Sequence, residues 1–378
     1  MAVIGISGSY GGLNLGDEAI LTSMIDELGA AVPGVEFVVF SRNAKHTTAH
    51  HAVGRVVPVR EATRQEVARE IRGLDLFVLG GGGLLYDKEA QTYLREVLVA
   101  RELGVPTMTY AIGAGPLETP DARRMVAEAL NLVDAVTVRE THAKRLLEEI
   151  GIRRDIVATA DPALLLRPEP FTMEMLEREG VTTERPLVGM SVREVGPAAP
   201  DLGEIAYHNL LANAADFIAD RLDADILFIP MERGDIRHSH AVIAQMSAAE
   251  RAHVLKGEYG PREVLGLMER LAMVVGMRLH TLIFAAIARV PFIPLPYAGK
   301  VEGFLDDLGL PSQTLREQNP GPLLASIDRC WDLRRGLRET LEQRLPGVQA
   351  RARETAVITA RLLELRSRAG QPTRAGAA

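Results

Sequence analysis

The sequence predicts an α/β protein with two domains, each built on a parallel sheet that is covered by helices. Short apolar runs of strand length alternate with helical runs through the first 150 residues, and this alternation is typical of parallel sheets. It stops at residues 167–186, which hold three prolines and many charges, and it starts again at Leu187. A chain of 378 residues also exceeds what one compact core usually supports.

The boundaries of the domains follow from where this alternation begins and ends. Five segments are predicted: a first Rossmann-like domain at 1–166, a linker region at 167–186, a second Rossmann-like domain at 187–331, C-terminal helices that pack across the domains at 332–367, and a disordered tail at 368–378. Because the two sheets have a similar design, we expect them to face each other across a cleft.

In the first domain, six runs of four to six mostly apolar residues predict strands. They lie at 3–6, 35–40, 55–59, 74–79, 106–111 and 135–138. Between them, apolar side chains recur at three- and four-residue spacing, which indicates amphipathic helices. These helices are expected at 18–28, 64–72, 89–103, 120–132 and 141–150.

In the second domain, strands are predicted at 187–192, 226–229, 253–255, 271–275 and 292–295. Helices are predicted at 204–222, 238–248 and 261–271, and a further helix runs through residues 282–287. We expect Thr281 to cap this last helix and Pro291 to end it, because proline cannot continue a helix. The C-terminal helices are expected to be interrupted at Pro346.

The composition argues against several classes of protein. With a net charge of −7 and no obviously basic face, nucleic acid is not expected as a partner. Cys330 is the single cysteine, so the chain cannot form an internal disulfide or a cysteine metal cluster. No apolar run reaches the length of a membrane span, and the N-terminus lacks the basic start of a signal peptide. We therefore expect a cytoplasmic protein, with room for peripheral contact with the inner membrane face and for a homo-oligomer.

Two glycine-rich segments follow predicted strands, where glycine lets a ligand approach the backbone closely. The first, GSYGGLNLGDEA, matches neither the dinucleotide fingerprint nor a P-loop. Asn14 and Asp17 of this segment could bind sugar hydroxyls, or Asp17 could act as a base. An equally good interpretation is a tight turn whose acidic residues interact favourably with the helix dipole. The second, Gly80–Gly83, indicates a close ligand or a close domain contact, with Gly81 and Gly82 as the candidate substrate-binding residues.

Positively charged side chains follow two strands of the second domain. Arg193 comes after the strand that opens this domain, and Arg278 and His280 follow its fourth apolar run. The carboxyl ends of parallel strands and helix N-termini are where open α/β sheets bind ligands, so two arginines there suit a small dianion or trianion. The alternative is structural pairing, of Arg193 with Glu194 or Asp235 and of Arg278 with His280.

The segment ERGDIRHSH contains acids and histidines that suggest a metal-ligand set. Glu232 and Asp235 are predicted in a loop, whereas His238 and His240 lie two residues apart at the start of a helix and do not share one helix face. A cleft loop is the better interpretation. We expect neither a metal site nor a cofactor.

Seven motifs, in this order and spacing, resemble the polysaccharide pyruvyl transferase family over nearly the whole chain. They are GSYGGLNLGDEAIL, LFVLGGGGLLYD, VTVRET, the Asp161-Pro162 step, SVRE, IPMERGD and GMRLHTLIFAAIARVPFIPLPYAGKVEGFLDDLG. The resemblance implies an architecture like that of two-domain GT-B glycosyltransferases. It also implies an enzyme of cell-envelope polysaccharide biosynthesis that transfers a pyruvyl group from phosphoenolpyruvate, its co-substrate, onto two hydroxyls of a sugar, a glycan or a lipid-linked glycan as a cyclic ketal.

The same resemblance implies roles for single residues. Arg193, Arg278, Leu279 and His280 are expected to contact phosphoenolpyruvate in the second domain, and the first domain is expected to bind the acceptor. Asp17 matches the acidic position of the family's first loop. His280 suits the general acid that protonates the methylene carbon, because imidazole changes its charge near neutral pH, and Asp17 suits the base.

Two other functions stay open on the same scaffold. A GT-B glycosyltransferase or epimerase that uses a nucleotide sugar needs a carboxylate for the ribose on the helix after Arg278, and residues 281–288 contain no acid. A non-catalytic protein that binds a sugar or an anion would keep the arginines but would not need His280.

Overall fold

The computed structural model describes residues 2–182, 184–195, 203–295, 299–310 and 320–369. Within these ranges the chain forms two compact units. The first contains the chain up to Gly12, then Ile20–Leu165, and the helical residues from Ala350 onwards; the second contains Leu13–Ala19 and Leu166–Gln349. Each unit has its own sheet and its own buried core.

Eight parallel strands form the sheet of the first unit. They are β1 (Val3–Ser7), β2 (Glu36–Ser41), β3 (Arg55–Pro58), β4 (Leu76–Leu79), β5 (Gly82–Leu85), β6 (Thr107–Ala114), β7 (Ala135–Val138) and β8 (Ile156–Ala158). Their order is β3-β2-β1-β4-β6-β7-β8, with β5 paired to β6. Because the chain goes from β1 to one side and later returns to its other side, the end of β1 is a topological switch point.

Helices connect these strands, as the alternation of the sequence predicts. They are α1 (Leu15–Ala31), whose first turn belongs to the second unit, α2 (Ala44–His50), α3 (Arg64–Arg72), α4 (Ala90–Glu102), α5 (Pro120–Leu130) and α6 (Thr141–Glu149). Local signals start several of them. Thr63 and Glu66 form a capping box at α3, and Thr119 followed by a proline starts α5, both of which satisfy amides that the helix leaves unpaired.

Five parallel strands form the sheet of the second unit. They are β9 (Leu187–Ser191), β10 (Asp225–Phe228), β11 (Ala252–Val254), β12 (Met273–Gly276) and β13 (Phe292–Pro294). Their order is β11-β10-β9-β12-β13, which places the switch point between β9 and β12. The helices of this unit are α7 (Met173–Arg178), α8 (Glu204–Leu222), α9 (Arg233–Ile243), α10 (Pro261–Met268), α11 (Leu279–Ile287), α12 (Gly299–Leu308), α13 (Pro320–Asp332) and the first part of α14 (Arg334–Ala369).

Three helix predictions are wrong in their details. Helix α9 begins at Arg233, five residues before the predicted start, and Asp235 Oδ2 accepts from the amide of the N-cap residue Glu232 at 3.3 Å. Helix α11 begins directly after Arg278, which is its N-cap, so Thr281 lies inside the first turn and does not cap it. Helix α14 continues through Pro346; buried side chains next to the proline offset the backbone hydrogen bond that it removes.

The segment predicted as a linker region, 167–186, belongs to the second unit and contains α7. It packs tightly against its surroundings. A Cβ on Gly266 of α10 would lie 1.8 Å from the carbonyl oxygen of Glu169, and Arg270 Nε donates to the carbonyl of Phe171 at 2.5 Å. The predicted tail beyond residue 369 lies outside the described residues. Among the described helices, none has the length and apolar character that crossing a membrane requires.

Candidate functional site

The candidate site lies at the carboxyl edge of the second sheet. The register pairs Ser191 at the end of β9 with Gly276 at the end of β12, and Phe228 at the end of β10 with Met190. The segments that follow these three strands therefore emerge side by side. Arg193 and Arg278 each lie two residues beyond the paired strand ends, as the sequence predicts.

Arg278 is held by two carboxylates from the start of α9. Its Nη2 donates to Asp235 Oδ1 at 2.5 Å and its Nε donates to Asp235 Oδ2 at 3.1 Å, and it also donates to Glu232. Asp235 is fully buried at 0% exposure and also accepts from the amide of Met231 at 3.0 Å, whereas Glu232 is 37% exposed. Burial alone lowers the pKa of Arg278, but Asp235 and Glu232 raise it more, so the guanidinium stays charged.

Arg193 is the second partly buried guanidinium of the site, with a side chain that is 12% exposed. It donates to Glu194, whose side chain is 48% exposed. Burial raises the pKa of Glu194, but the hydrogen bond and charge of Arg193 lower it more, and the charge of Arg278 adds to this. Carboxylate oxygens of Glu194, Glu232 and Asp235 all lie within 4.8 Å of one another. The two arginines thus converge on one cluster of carboxylates, and Arg193 has the structural partner Glu194 that the sequence offered as an alternative.

The loop around Asn14 belongs to this site, because Leu13–Ala19 is part of the second unit. The amide of Leu15 donates to the carbonyl of Met231 at 2.8 Å, and Asn14 Nδ2 donates to Glu232 Oε2 at 3.2 Å. Asn14 Oδ1 accepts from the amide of Gly16 at 2.9 Å, so the same side chain caps α1 and positions the carboxylate that binds Arg278.

His280 is the second residue of α11 and is half-buried. The predicted cap at Thr281 would place His280 before the helix, but the helical conformation begins at Leu279. A Cβ on Gly16 would lie 2.0 Å from His280 Nδ1. Only glycine allows the first turn of α1 to lie this close to the imidazole, and Asp17 is the next residue of that turn. Leu279 is buried at 5% exposure.

The predicted substrate-binding glycines lie in the first unit. A Cβ on Gly80 would lie 1.9 Å from the hydroxyl of Tyr10, and one on Gly81 would lie 2.9 Å from Ile20. Gly82 has a φ of 103° and begins β5, a backbone conformation that favours glycine. Close packing and backbone conformation therefore explain this glycine run, and the role of Gly81 and Gly82 in substrate binding stays a prediction.

Sequence reasoning missed what the acids after β10 do. The sequence suggested Glu232 and Asp235 as metal ligands together with His238 and His240. In the structure the two carboxylates bind Arg278. The ring of His238 contacts His208 Nε2 at 3.0 Å. The signal in the sequence was the position of an acid pair directly after a strand. Its meaning depends on the order of the strands, which places β10 beside β9 and thus near both arginines.

The first unit contains a comparable arginine. Arg139 directly follows β7, donates to Glu140 Oε2 at 2.7 Å and donates to Asp161 Oδ2 at 3.1 Å. All three side chains are buried. A Cβ on Gly113 would lie 2.8 Å from Arg139 Nη2, so the guanidinium occupies the space beside this glycine.

Comparison with known proteins gives a family match over most of the chain. Residues 14–299 match the family described as polysaccharide pyruvyl transferase. The chain is also 19% identical over 291 residues to the amylovoran biosynthesis protein AmsJ of Erwinia amylovora, an alignment that covers 71% of this chain and 68% of that protein.

Solved structures share the fold at low sequence identity. A putative UDP-N-acetylglucosamine 2-epimerase from Listeria monocytogenes is 13% identical, with 91% of each chain covered and a TM-score of 0.63. The ADP-heptose heptosyltransferase II of E. coli is 15% identical, with 88% of this chain and 98% of that chain covered and a TM-score of 0.51. At these identities the likeness concerns the fold alone. It confirms the predicted class, two parallel-sheet α/β domains of the GT-B type.

Proposed function

Because the chain belongs to the polysaccharide pyruvyl transferase family, we propose that it transfers the pyruvyl group of phosphoenolpyruvate onto two hydroxyls of a sugar or glycan. The products are a cyclic ketal and inorganic phosphate. The observation that carries this proposal is the convergence of Arg193 and Arg278 at the switch point of the second sheet, beside a histidine in the first turn of α11.

The two arginines supply the cradle for the anionic donor. Phosphoenolpyruvate carries a carboxylate and a phosphate, and a guanidinium binds such groups through two parallel hydrogen bonds. The donor anion takes the places of the partly exposed Glu232 carboxylate and the exposed Glu194 carboxylate, while the buried Asp235 keeps Arg278 in position. Each charge-assisted hydrogen bond contributes about 1.5–3 kcal/mol.

His280 is the general acid in this proposal. In this step the imidazolium ring of His280 carries the proton that the reaction needs. His280 gives this proton to the methylene carbon of phosphoenolpyruvate, which becomes a methyl group. The C2 carbon becomes cationic and is the atom that the acceptor attacks.

The remaining steps form two C–O bonds and break one. The first acceptor hydroxyl adds to C2, and Asp17 takes its proton. The C–O bond to phosphate then breaks, and phosphate leaves as hydrogen phosphate with the proton that Asp17 had taken. The second hydroxyl closes the ring as it gives its proton to His280, which restores the acid. Asp17 suits the base because it lies in the first turn of α1, next to the glycine that contacts His280.

A polysaccharide precursor is the proposed acceptor. Besides the family match, the similarity to a protein named for amylovoran biosynthesis supports this class. The experiment is an assay of phosphate release from phosphoenolpyruvate with a panel of sugars, glycans and lipid-linked glycans. We expect release that depends on one acceptor class, and mass spectrometry of the acceptor should detect one added pyruvyl ketal. Phosphate release without a modified acceptor would contradict the proposal.

A second candidate is an enzyme that uses a nucleotide sugar, because solved structures named as an epimerase and a heptosyltransferase share this fold. Against it, α11 carries no acid that could bind a ribose. Thermal unfolding with each ligand separates the two candidates. A ligand at a hundred times its dissociation constant adds about 2.7 kcal/mol to the unfolding free energy, so a larger shift with a nucleotide diphospho-sugar than with phosphoenolpyruvate would favour the second candidate.

A further inference from the structure

Two buried histidines face each other between α8 and α9, outside the set of residues assigned to pyruvyl transfer. His208 and His238 are 4% and 3% exposed, and His208 Nε2 lies 3.0 Å from His238 Nδ1. A carboxylate oxygen of Glu204 lies 3.6 Å from the same Nδ1. The three atoms, one from each side chain, all lie within 4.8 Å of one another.

The sequence places these groups together in a simple way. Glu204 and His208 are four residues apart on α8, so their side chains share one helix face. His238 comes from α9 and meets that face. Two buried ring nitrogens and a carboxylate oxygen therefore lie around one small volume. Hydrophobic packing of α8 against α9 does not by itself bring polar atoms together in this way.

The separations match the spacing of ligand atoms in a tetrahedral metal site. Zinc bonds to histidine nitrogen and carboxylate oxygen at about 2.0–2.2 Å, which puts neighbouring ligand atoms roughly 3.3 Å apart. The observed 3.0 and 3.6 Å lie on either side of this value. We propose that Glu204, His208 and His238 bind one zinc ion, with water in the fourth position.

The chemistry of the ligand atoms favours zinc over magnesium or calcium. Imidazole suits zinc and other late transition metals, whereas the hard cations prefer sites made only of oxygen. A histidine ligates a metal through a ring nitrogen that has a lone pair, and the 3.0 Å contact between His208 Nε2 and His238 Nδ1 means that one of these two atoms already accepts a hydrogen bond.

Arg237 competes with the metal. Its Nη2 lies 3.3 Å from His238 Nε2 and 3.7 Å from Glu204 Oε1. Since arginine only donates, Nε2 accepts in this contact, and the proton of the neutral ring lies on Nδ1, next to His208 Nε2. Metal binding at Nδ1 releases that proton to solvent, while Nε2 takes one up. Arg237 must then leave Nε2, which its exposed side chain permits.

The ion would tie the first turn of α8 to α9, the helix that carries Asp235. It is a structural site in this proposal, and the ion takes no part in the transfer reaction. The proposal does not depend on the identity of the donor or the acceptor.

The test measures metal binding by the full chain after treatment with a chelator. Competition with a chromogenic chelator should show one tightly bound zinc ion, and cobalt in its place should give the visible absorption bands of a tetrahedral complex. Magnesium should not compete. His208→Gln and His238→Gln should each weaken binding by more than the roughly 10–100-fold cost of losing an outer partner, and Glu204→Gln should weaken it less.

Arg237→Ala supplies a change in the opposite direction. Removing one positive charge beside the ion should tighten binding by roughly fivefold. This exposed substitution, together with Glu204→Gln, still tests the site if a variant of a buried histidine fails to fold. A binding constant that neither exposed variant changes would overturn the proposal.

The matched control is His50→Gln. His46 and His50 lie four residues apart on α2 with stacked rings, so they form a second pair that could collect metal adventitiously. Zinc binding should be unchanged in this variant. Loss of zinc in His50→Gln with retention in His208→Gln and His238→Gln would overturn the proposal, as would the absence of stoichiometric zinc in the unmodified chain.

Discussion

Arg139 in the first unit and Arg278 in the second are built alike, yet they differ in what surrounds their carboxylates. Each follows a parallel strand and each binds two acids. Both carboxylates of Arg139 are buried, at 8% and 6% exposure. Of the two carboxylates that bind Arg278, that of Asp235 is 0% exposed and that of Glu232 is 37% exposed.

This difference separates a structural ion network from an exchangeable one. A buried carboxylate cannot leave its arginine without facing a large desolvation cost. An exposed one can be replaced by water or by another anion at little cost, because exposed ion pairs contribute only about 0–1 kcal/mol. Arg139 is therefore expected to hold the fold of the first unit, whereas Arg278 is expected to keep one fixed partner and offer its remaining donors to a ligand.

The largest effect is expected from Arg139→Leu. The substitution leaves Glu140 and Asp161 buried without their cation, so the unfolding free energy should fall by about 3–5 kcal/mol. Chemical denaturation measures this. A loss below about 1 kcal/mol would show that the network of Arg139 is no more structural than a surface ion pair.

The next largest effect concerns catalysis in the second unit. His280→Ala should lower turnover at least about a hundredfold, the lower end expected for a lost general acid, while phosphoenolpyruvate still binds. His280→Gln donates a hydrogen bond but no proton, so it should match the alanine variant in rate and the unmodified chain in binding. Near-normal turnover of the glutamine variant would make His280 a positioning residue.

A smaller effect should reveal the exchangeable carboxylate itself. Glu232→Gln removes a charge that both pairs with Arg278 and repels an incoming anion, so affinity for phosphoenolpyruvate should rise by about 1 kcal/mol, roughly fivefold. Asp235→Asn is the matched control and should weaken binding, because Arg278 loses its fixed partner. Equal changes of phosphoenolpyruvate affinity in the two variants would show that Glu232 is no more exchangeable than Asp235.

The smallest effect is a dependence of stability on pH that comes from neither arginine. The pKa of both guanidinium groups is raised by their carboxylates, so they stay charged. The pKa of His208 is lowered, first by burial and then by His238. Below about pH 6.5 the unfolded chain therefore binds more protons at this position than the folded chain, and stability falls as the pH falls. His208→Gln should reduce this slope in denaturation curves measured at several pH values, and an unchanged slope would assign it to other groups.

Much of the fold was predictable because strand and helix signals were local. The ranges 64–72, 135–138 and 204–222 match α3, β7 and α8 at both ends. The start of α9 was missed because Asp235, which accepts from the N-cap amide, was interpreted as a loop residue. The continuity of α14 was missed because packing outweighs the proline.

The candidate site was predictable only in part. Arg193 and Arg278 could be placed at one sheet edge because both follow strands. Their carboxylate partners could not be assigned, since this required knowing that β10 and β12 flank β9. Nor does any local signal show that Asn14 contacts Glu232, which lies 218 positions away in the chain.

The affinity of Arg278→Lys for phosphoenolpyruvate, measured by calorimetry without an acceptor, tests the central claim most directly. Lysine keeps one positive charge but loses the planar fork that holds Asp235 and the ligand together. The account predicts a loss on the order of 2–3 kcal/mol, roughly 30- to 150-fold in the dissociation constant, with Arg193→Lys changing in the same direction. Unchanged affinity in both variants would contradict the account and place the anion site elsewhere.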